Sequence, residues 1–128
     1  MSVKTIIQTH EAPTPIGPYS QAVRAGDFLF CSGQIAIDPG TGQLVQDDIE
    51  KETHRVMQNI AALLGAAGTD FSKIVKTSIF LKDMNDFAKV NGVYGSYFSG
   101  DFPARETVQV SVLPRNVNVE ISVTAFLG

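Results

Sequence analysis

The chain has no tryptophan, two histidines and a single cysteine, Cys31, among its 128 residues. One thiol cannot close a disulfide within the chain, which fits a reducing compartment, and the expected location is the cytoplasm. Cys31 lies in an apolar stretch and reads as a small buried hydrophobe, not a nucleophile. His10 precedes a run of prolines and His54 lies off the apolar stripe of a helical segment. No Cys, His or carboxylate cluster has metal-ligand spacing, so no metal site is expected. There is no glycine-rich loop joining a strand to a helix, hence no phosphate cradle. Ser32 has no base beside it in sequence, so a Ser-His triad is not supported. Positive charge is also scarce: 10 Lys and Arg against 13 Asp and Glu give a net charge of −3, which argues against a nucleic-acid surface. No apolar run is long enough to span a membrane, and the opening MSVKTIIQTH lacks the pattern of a leader peptide.

What is present is 44% hydrophobic and 18% charged, an ordinary globular balance, and residues 1–128 are expected to form a single domain. The strongest pattern runs from Pro103 to Phe126. Val108, Val110 and Val112 alternate with Arg105, Thr107, Gln109 and Ser111. After Pro114-Arg115-Asn116, Val117, Val119, Ile121 and Val123 alternate with Asn118, Glu120, Ser122 and Thr124. Period two on both sides of a short turn predicts a pair of strands, each with one face on a core. The expected register sets Glu120 opposite Ser111, with Arg105 about 20 Å further along the same polar face.

Upstream, residues 3–8 are expected to form an edge strand and Ala12–Pro18 a proline-stiffened lead-in. Tyr19–Ala25 and Phe28–Ile35 flank Gly26-Asp27, a pair suited to a hairpin turn. Gly33 within the second of these strands marks a bulge, or a backbone that another group approaches closely. Asp47 and Glu50 resemble a capping box ahead of a helix ending near Gly68, with Val56, Met57, Ile60, Leu63 and Leu64 at helical spacing. Residues 73–82 form a β-branched strand with Val75, Thr77, Ile79 and Leu81 on one face. A second helix carries Phe87, Val90, Asn91, Tyr94 and Phe98, with Gly92 and Gly95 suggesting close packing. The order predicts an α+β fold: a sheet with two helices on one face and a polar face left uncovered.

Two charged residues on that face invite a chemical reading. Arg105 is either a solvated guanidinium paired with Asp101 or Glu106, or a bidentate fork for a carboxylate. Glu120 lies mid-strand among Ser, Thr and Asn, where glutamate is disfavoured, and reads equally as an ion-pair partner or as a working acid. The residues alone point no further than a small-acid site.

Five segments taken together carry a resemblance: IGPYSQAV (16–23), CSGQI (31–35), IVKTSIFLKDMNDFAKVNGVYGSYF (74–98), FPARETVQV (102–110) and LPRNVNVEI (113–121). In order and spacing this set resembles the RidA/YjgF family of reactive intermediate deaminases. The resemblance implies a homotrimer of chorismate-mutase-like fold with clefts between subunits. It implies hydrolysis of enamines and imines such as 2-iminobutanoate and 2-iminopropanoate to 2-oxo acids and ammonia, with no cofactor. It places the carboxylate-binding arginine on Arg105, the water-positioning acid on Glu120, the site tyrosine on Tyr19 and the cleft wall on Ser32 and Gly33. Asn91 matches a helix asparagine near the cleft. Many members carry Cys two residues after the arginine; here that position is Thr107, which removes a thiol open to oxidation. Two other readings remain beside the deaminase: a regulatory module binding 2-oxo acids without turnover, and an endoribonuclease or translation inhibitor, against which the acidic balance weighs.

Overall fold

The computed structural model describes residues 3–128. Met1 and Ser2, the start of the stretch read for a leader peptide, lie outside the described residues. In chain order the elements are β1 (Thr5–Ile7), β2 (Ala22–Ala25), β3 (Phe28–Cys31), α1 (Ile49–Ala66), β4 (Ile74–Leu81), α2 (Phe87–Gly95), β5 (Ala104–Gln109) and β6 (Val119–Phe126). The strands form one sheet ordered β1-β2-β3-β6-β4-β5, mixed because β4 and β5 run parallel while the other pairs are antiparallel. The fold is therefore α+β, with a mixed sheet and two helices. Among the described residues no helix is long and apolar enough to cross a membrane.

Both helices cover the same face. Val56, Met57, Ile60, Leu63 and Leu64 of α1, with Val90 and Tyr94 of α2, bury against Leu29, Ile79, Leu81, Ile121 and Val123. The cap of α1 is Asp48, one residue later than expected: its carboxylate accepts from the Lys51 amide at 2.8 Å, leaving Asp47 to a 3.9 Å surface pair with Lys51. Gly68 ends α1 as expected. At φ +77° it lets the Gly68 and Thr69 amides turn back onto the Gly65 and Leu64 carbonyls, at 3.0 and 2.9 Å. Glu52 on α1 is fully buried and receives the backbone and side-chain N–H groups of Asn118, each at 2.8 Å. This tie docks the entry to β6 against the helix.

β6 follows its alternation: Val119, Ile121, Val123 and Ala125 are buried, while Glu120, Ser122 and Thr124 are half-buried on the other face. The expected pairing of its predecessor does not hold. β4 lies between β5 and β6, so Glu120 has no cross-strand contact with Ser111; it pairs with Phe80, and Phe80 with Val108. The phase of β5 is also reversed. Arg105 lies beside Thr77 and Thr107 beside Ile79, all on the helix-covered side, while Val108 and Val112 are 41% and 64% exposed. Period two establishes that sides alternate, but not which side meets the helices, and polar residues face α2 here for the reason given below.

Three smaller corrections share a local cause each. A register shift between Ile74 and Lys76 turns Val75 out to solvent. β2 and β3 are shorter than expected: the chain leaves the ladder at Cys31, and Gln34 rejoins it only by a bridge to Ile121. A side chain at Gly92 or Gly95 would meet nothing within 4 Å, so these glycines do not serve close packing within the chain. The hairpin turn between β2 and β3 does form, with Ala25 opposite Phe28 and Gly26 at φ +59°.

Candidate functional site

Gly33 explains why β3 is interrupted. A Cβ on it would lie 2.9 Å from the Cδ and 3.2 Å from the Cγ of Glu120, so the glycine backbone makes room for that carboxylate. The close approach expected at Gly33 is thus present, and the approaching group is the acid itself. Glu120 is half-buried, and its carboxylate has no hydrogen-bond partner among the described residues. Burial pushes its pKa above the ordinary carboxylate value.

This carboxylate opens into a cleft of about 550 Å³, lined also by Tyr19, Ser32, Gly33, Gln34, Ile35 and Arg115. Its walls are held by buried amides. The Nε2 of Gln21 donates to the carbonyls of Thr9, Ala12 and Pro13, at 3.0, 3.2 and 2.9 Å, and so holds the proline-rich segment in place. The Nδ2 of Asn59 on α1 donates to the Ile35 and Ile37 carbonyls, at 3.1 and 3.0 Å. The Ser32 hydroxyl donates to the Ser20 carbonyl at 2.6 Å, so it can only accept from a further partner. Tyr19 is 54% exposed at this cleft.

Arg105 belongs to a second cleft, of about 470 Å³, with Asn91, Tyr94, Gly95, Phe102 and Pro103. Its guanidinium donates to Asn91 Oδ1 at 2.7 Å and stands 5.7 Å from the Phe87 ring centroid and 5.4 Å from that of Tyr94. Tyr94 is itself fixed by donating to the Thr77 hydroxyl at 2.9 Å. One face of α2 therefore orients the fork, which accounts for the polar side of β5 facing a helix. The expected ion pairs of Arg105 with Asp101 or Glu106 are absent; Glu106 instead pairs with Lys76 at 2.9 Å on the opposite face. Thr107, the next residue on the Arg105 side, has a buried hydroxyl without a partner.

The seven expected site residues thus fall into two groups. Tyr19, Ser32, Gly33 and Glu120 share one cleft, Asn91 and Arg105 the other, and Thr107 extends the second along β5. Arg105 and Glu120 lie on opposite faces of the sheet, not on one polar face. Three residues along β4 and two strand spacings separate their backbones by about 14 Å. Sequence reasoning missed Arg115, Gln21 and Asn59; for the two amides the only signal was a polar residue at a core position.

Comparison with known proteins adds to this geometry. The Endoribonuclease L-PSP family profile matches residues 9–127. A RutC family protein of Pyrococcus horikoshii is 52% identical over 124 residues, covering 97% of this chain and 98% of its own. The 2-iminobutanoate/2-iminopropanoate deaminase of Mus musculus is 45% identical over 126 residues, covering 98% and 93%. The crystal structure of TdcF of E. coli with bound serine superposes with a TM-score of 0.93 at 38% identity, covering 97% and 99%. With the fold, the segment order and these likenesses in agreement over nearly the whole length, the chain belongs to the RidA/YjgF family.

Proposed function

We propose that this protein hydrolyses 2-imino acids of the 2-iminobutanoate and 2-iminopropanoate class, with their enamine tautomers, to 2-oxo acids and ammonia in the cytoplasm. The observation that carries this reading is the Glu120 carboxylate, half-buried, unpartnered and fitted against Gly33 in a cleft large enough for a small acid. A bare receptor for carboxylates gains nothing from a second negative charge there, whereas a hydrolase needs a proton carrier. The name of the mouse relative supports the same chemistry. The acidic net charge weighs against RNA cleavage, the activity in the name of the matched family.

In this reading the active site is completed between copies of the chain in a homotrimer of chorismate-mutase-like fold. Arg105 of one copy takes the substrate carboxylate and fixes C2 beside Glu120 of the next. Water attacks C2 of the protonated imine as Glu120 accepts one of its protons, and the C=N electron pair moves to nitrogen. Glu120 then returns that proton to the nitrogen of the carbinolamine. The C–N bond breaks, the remaining hydroxyl proton leaves with the amine, and the products are a 2-oxo acid and ammonium. No cofactor enters these steps.

The test couples a serine/threonine dehydratase to this protein with semicarbazide present to trap free imine. Protein that outcompetes the trap supports the proposal; protein that binds 2-oxobutanoate yet leaves trapping unchanged is a binding module. The elevated pKa of Glu120 sets the pH dependence. Activity should rise with pH along an acid limb centred above the ordinary glutamate value, and Glu120→Gln should remove that limb and lower kcat more than ligand affinity. The same group binds more protons folded than unfolded, so its contribution makes the folded state less stable as pH rises from the ordinary glutamate value through the elevated one. Thr107→Cys should keep activity within about threefold, because its hydroxyl makes no bond that the swap would break. A larger loss measured in the same assay would assign the hydroxyl a direct bond to substrate.

A further inference from the structure

Arg115 sits where the connection from β5 to β6 takes an unusual path. Arg115 has φ 54° and ψ 22°, and Asn116 has φ 56°, so two consecutive non-glycine residues occupy the left-handed region. The turn is fixed from both sides. The Asn116 amide donates to the Leu113 carbonyl at 2.9 Å, and Asn116 Oδ1 accepts from Lys82 Nζ at 2.9 Å. Such conformations persist where surrounding contacts determine them, and here the result is that Arg115 lines the Glu120 cleft. Arg115 and Glu120 are the only charged residues among those described along that cleft, and Arg115 makes no ion pair or hydrogen bond through its side chain among the described residues. The rest of the wall is largely apolar, with Ile16, Ile35, Ile37 and Pro114.

Arg115 thus stands beside an apolar wall in the same cleft as Glu120. We infer that the cleft takes 2-imino acids with a longer side chain ending in a second carboxylate, and that Arg115 is the specificity-determining residue that receives it. This deepens the deaminase reading and rests on it. With the first carboxylate on Arg105 of a neighbouring copy and C2 beside Glu120, the side chain has the apolar wall to run along. A guanidinium is the group that matches a terminal carboxylate with two parallel hydrogen bonds. Arg115 is exposed, so solvent screens the pair, and the expected discrimination is modest.

The experiment generates imines in place with amino acid oxidases acting on alanine, leucine and glutamate, and measures kcat/KM by competition with semicarbazide. The wild-type protein should prefer the glutamate-derived over the leucine-derived imine by about fivefold, the size of a partly exposed ion pair. Arg115→Gln should erase that ratio and Arg115→Lys should restore only part of it. No preference in the wild type, or an equal fall for both imines in Arg115→Gln, would overturn the inference while leaving deamination standing. Absence of hydrolysis for every imine defeats the deaminase reading instead. Calorimetry with 2-oxoglutarate and 2-oxobutanoate then decides Arg115 separately: tighter binding of the diacid that Arg115→Gln abolishes supports its role, and equal affinities refute it.

Discussion

Arg105→Ala is expected to lower imine hydrolysis by roughly a hundredfold or more, the scale on which a misplaced reacting carbon loses rate. The fork is exposed and braced by Asn91, Phe87 and Tyr94, so truncating it removes a ligand contact without opening the core. Arg105→Lys should recover little, because an ammonium cannot make two parallel bonds or lie between two rings in the same way. The decisive measurement mixes subunits. Arg105 and Glu120 face opposite sides of the sheet, and each lines its own cleft. Inactive Arg105→Ala and Glu120→Gln chains, dissociated and reassembled together, should therefore regain part of the activity through clefts that receive both intact residues. No recovery despite demonstrated exchange would mean that one chain supplies both groups.

Gly33→Ala should be nearly as damaging to the rate and similarly mild to the fold. The new methyl would overlap the end of the Glu120 side chain, a flexible group beside an open cleft, and not a packed backbone. The carboxylate can swing aside at small energetic cost, but it then no longer holds water at C2. Activity should fall roughly a hundredfold, while the urea midpoint shifts only slightly. A variant with wild-type kcat would show that Glu120 works from another position. A variant that fails to fold would show instead that the acid has no room to move.

Much of the fold was legible because burial imposes a period. β6 is buried at alternate residues as the sequence predicts, and the apolar spacing of α1 matches the face that packs. What period cannot convey is phase and neighbour. The valines of β5 looked like its core side, yet Arg105 and Thr107 face α2, and β4 intervenes where a hairpin was expected. A short turn rich in Pro and Asn suggested a simple reversal; its two left-handed residues instead lie on a path past the end of β4 to β6. Family resemblance named the candidate residues one by one, but their division between two clefts was not legible. That division depends on strand order, which no local pattern encodes. Arg115 escaped notice because a lone arginine in a turn looks like ordinary solvated charge.

The burial of Cys31 has a practical consequence. Desolvation pushes its pKa up to about 12, so at neutral pH the thiolate is on the order of one molecule in 10⁵. With Cys31 the only cysteine, the wild-type chain presents almost no thiolate to thiol-directed alkylating reagents. A cysteine placed at an exposed position such as Val112, 64% exposed, would then be labelled alone. A fluorophore or spin label attached there could report how copies of the chain come together without first removing any native thiol.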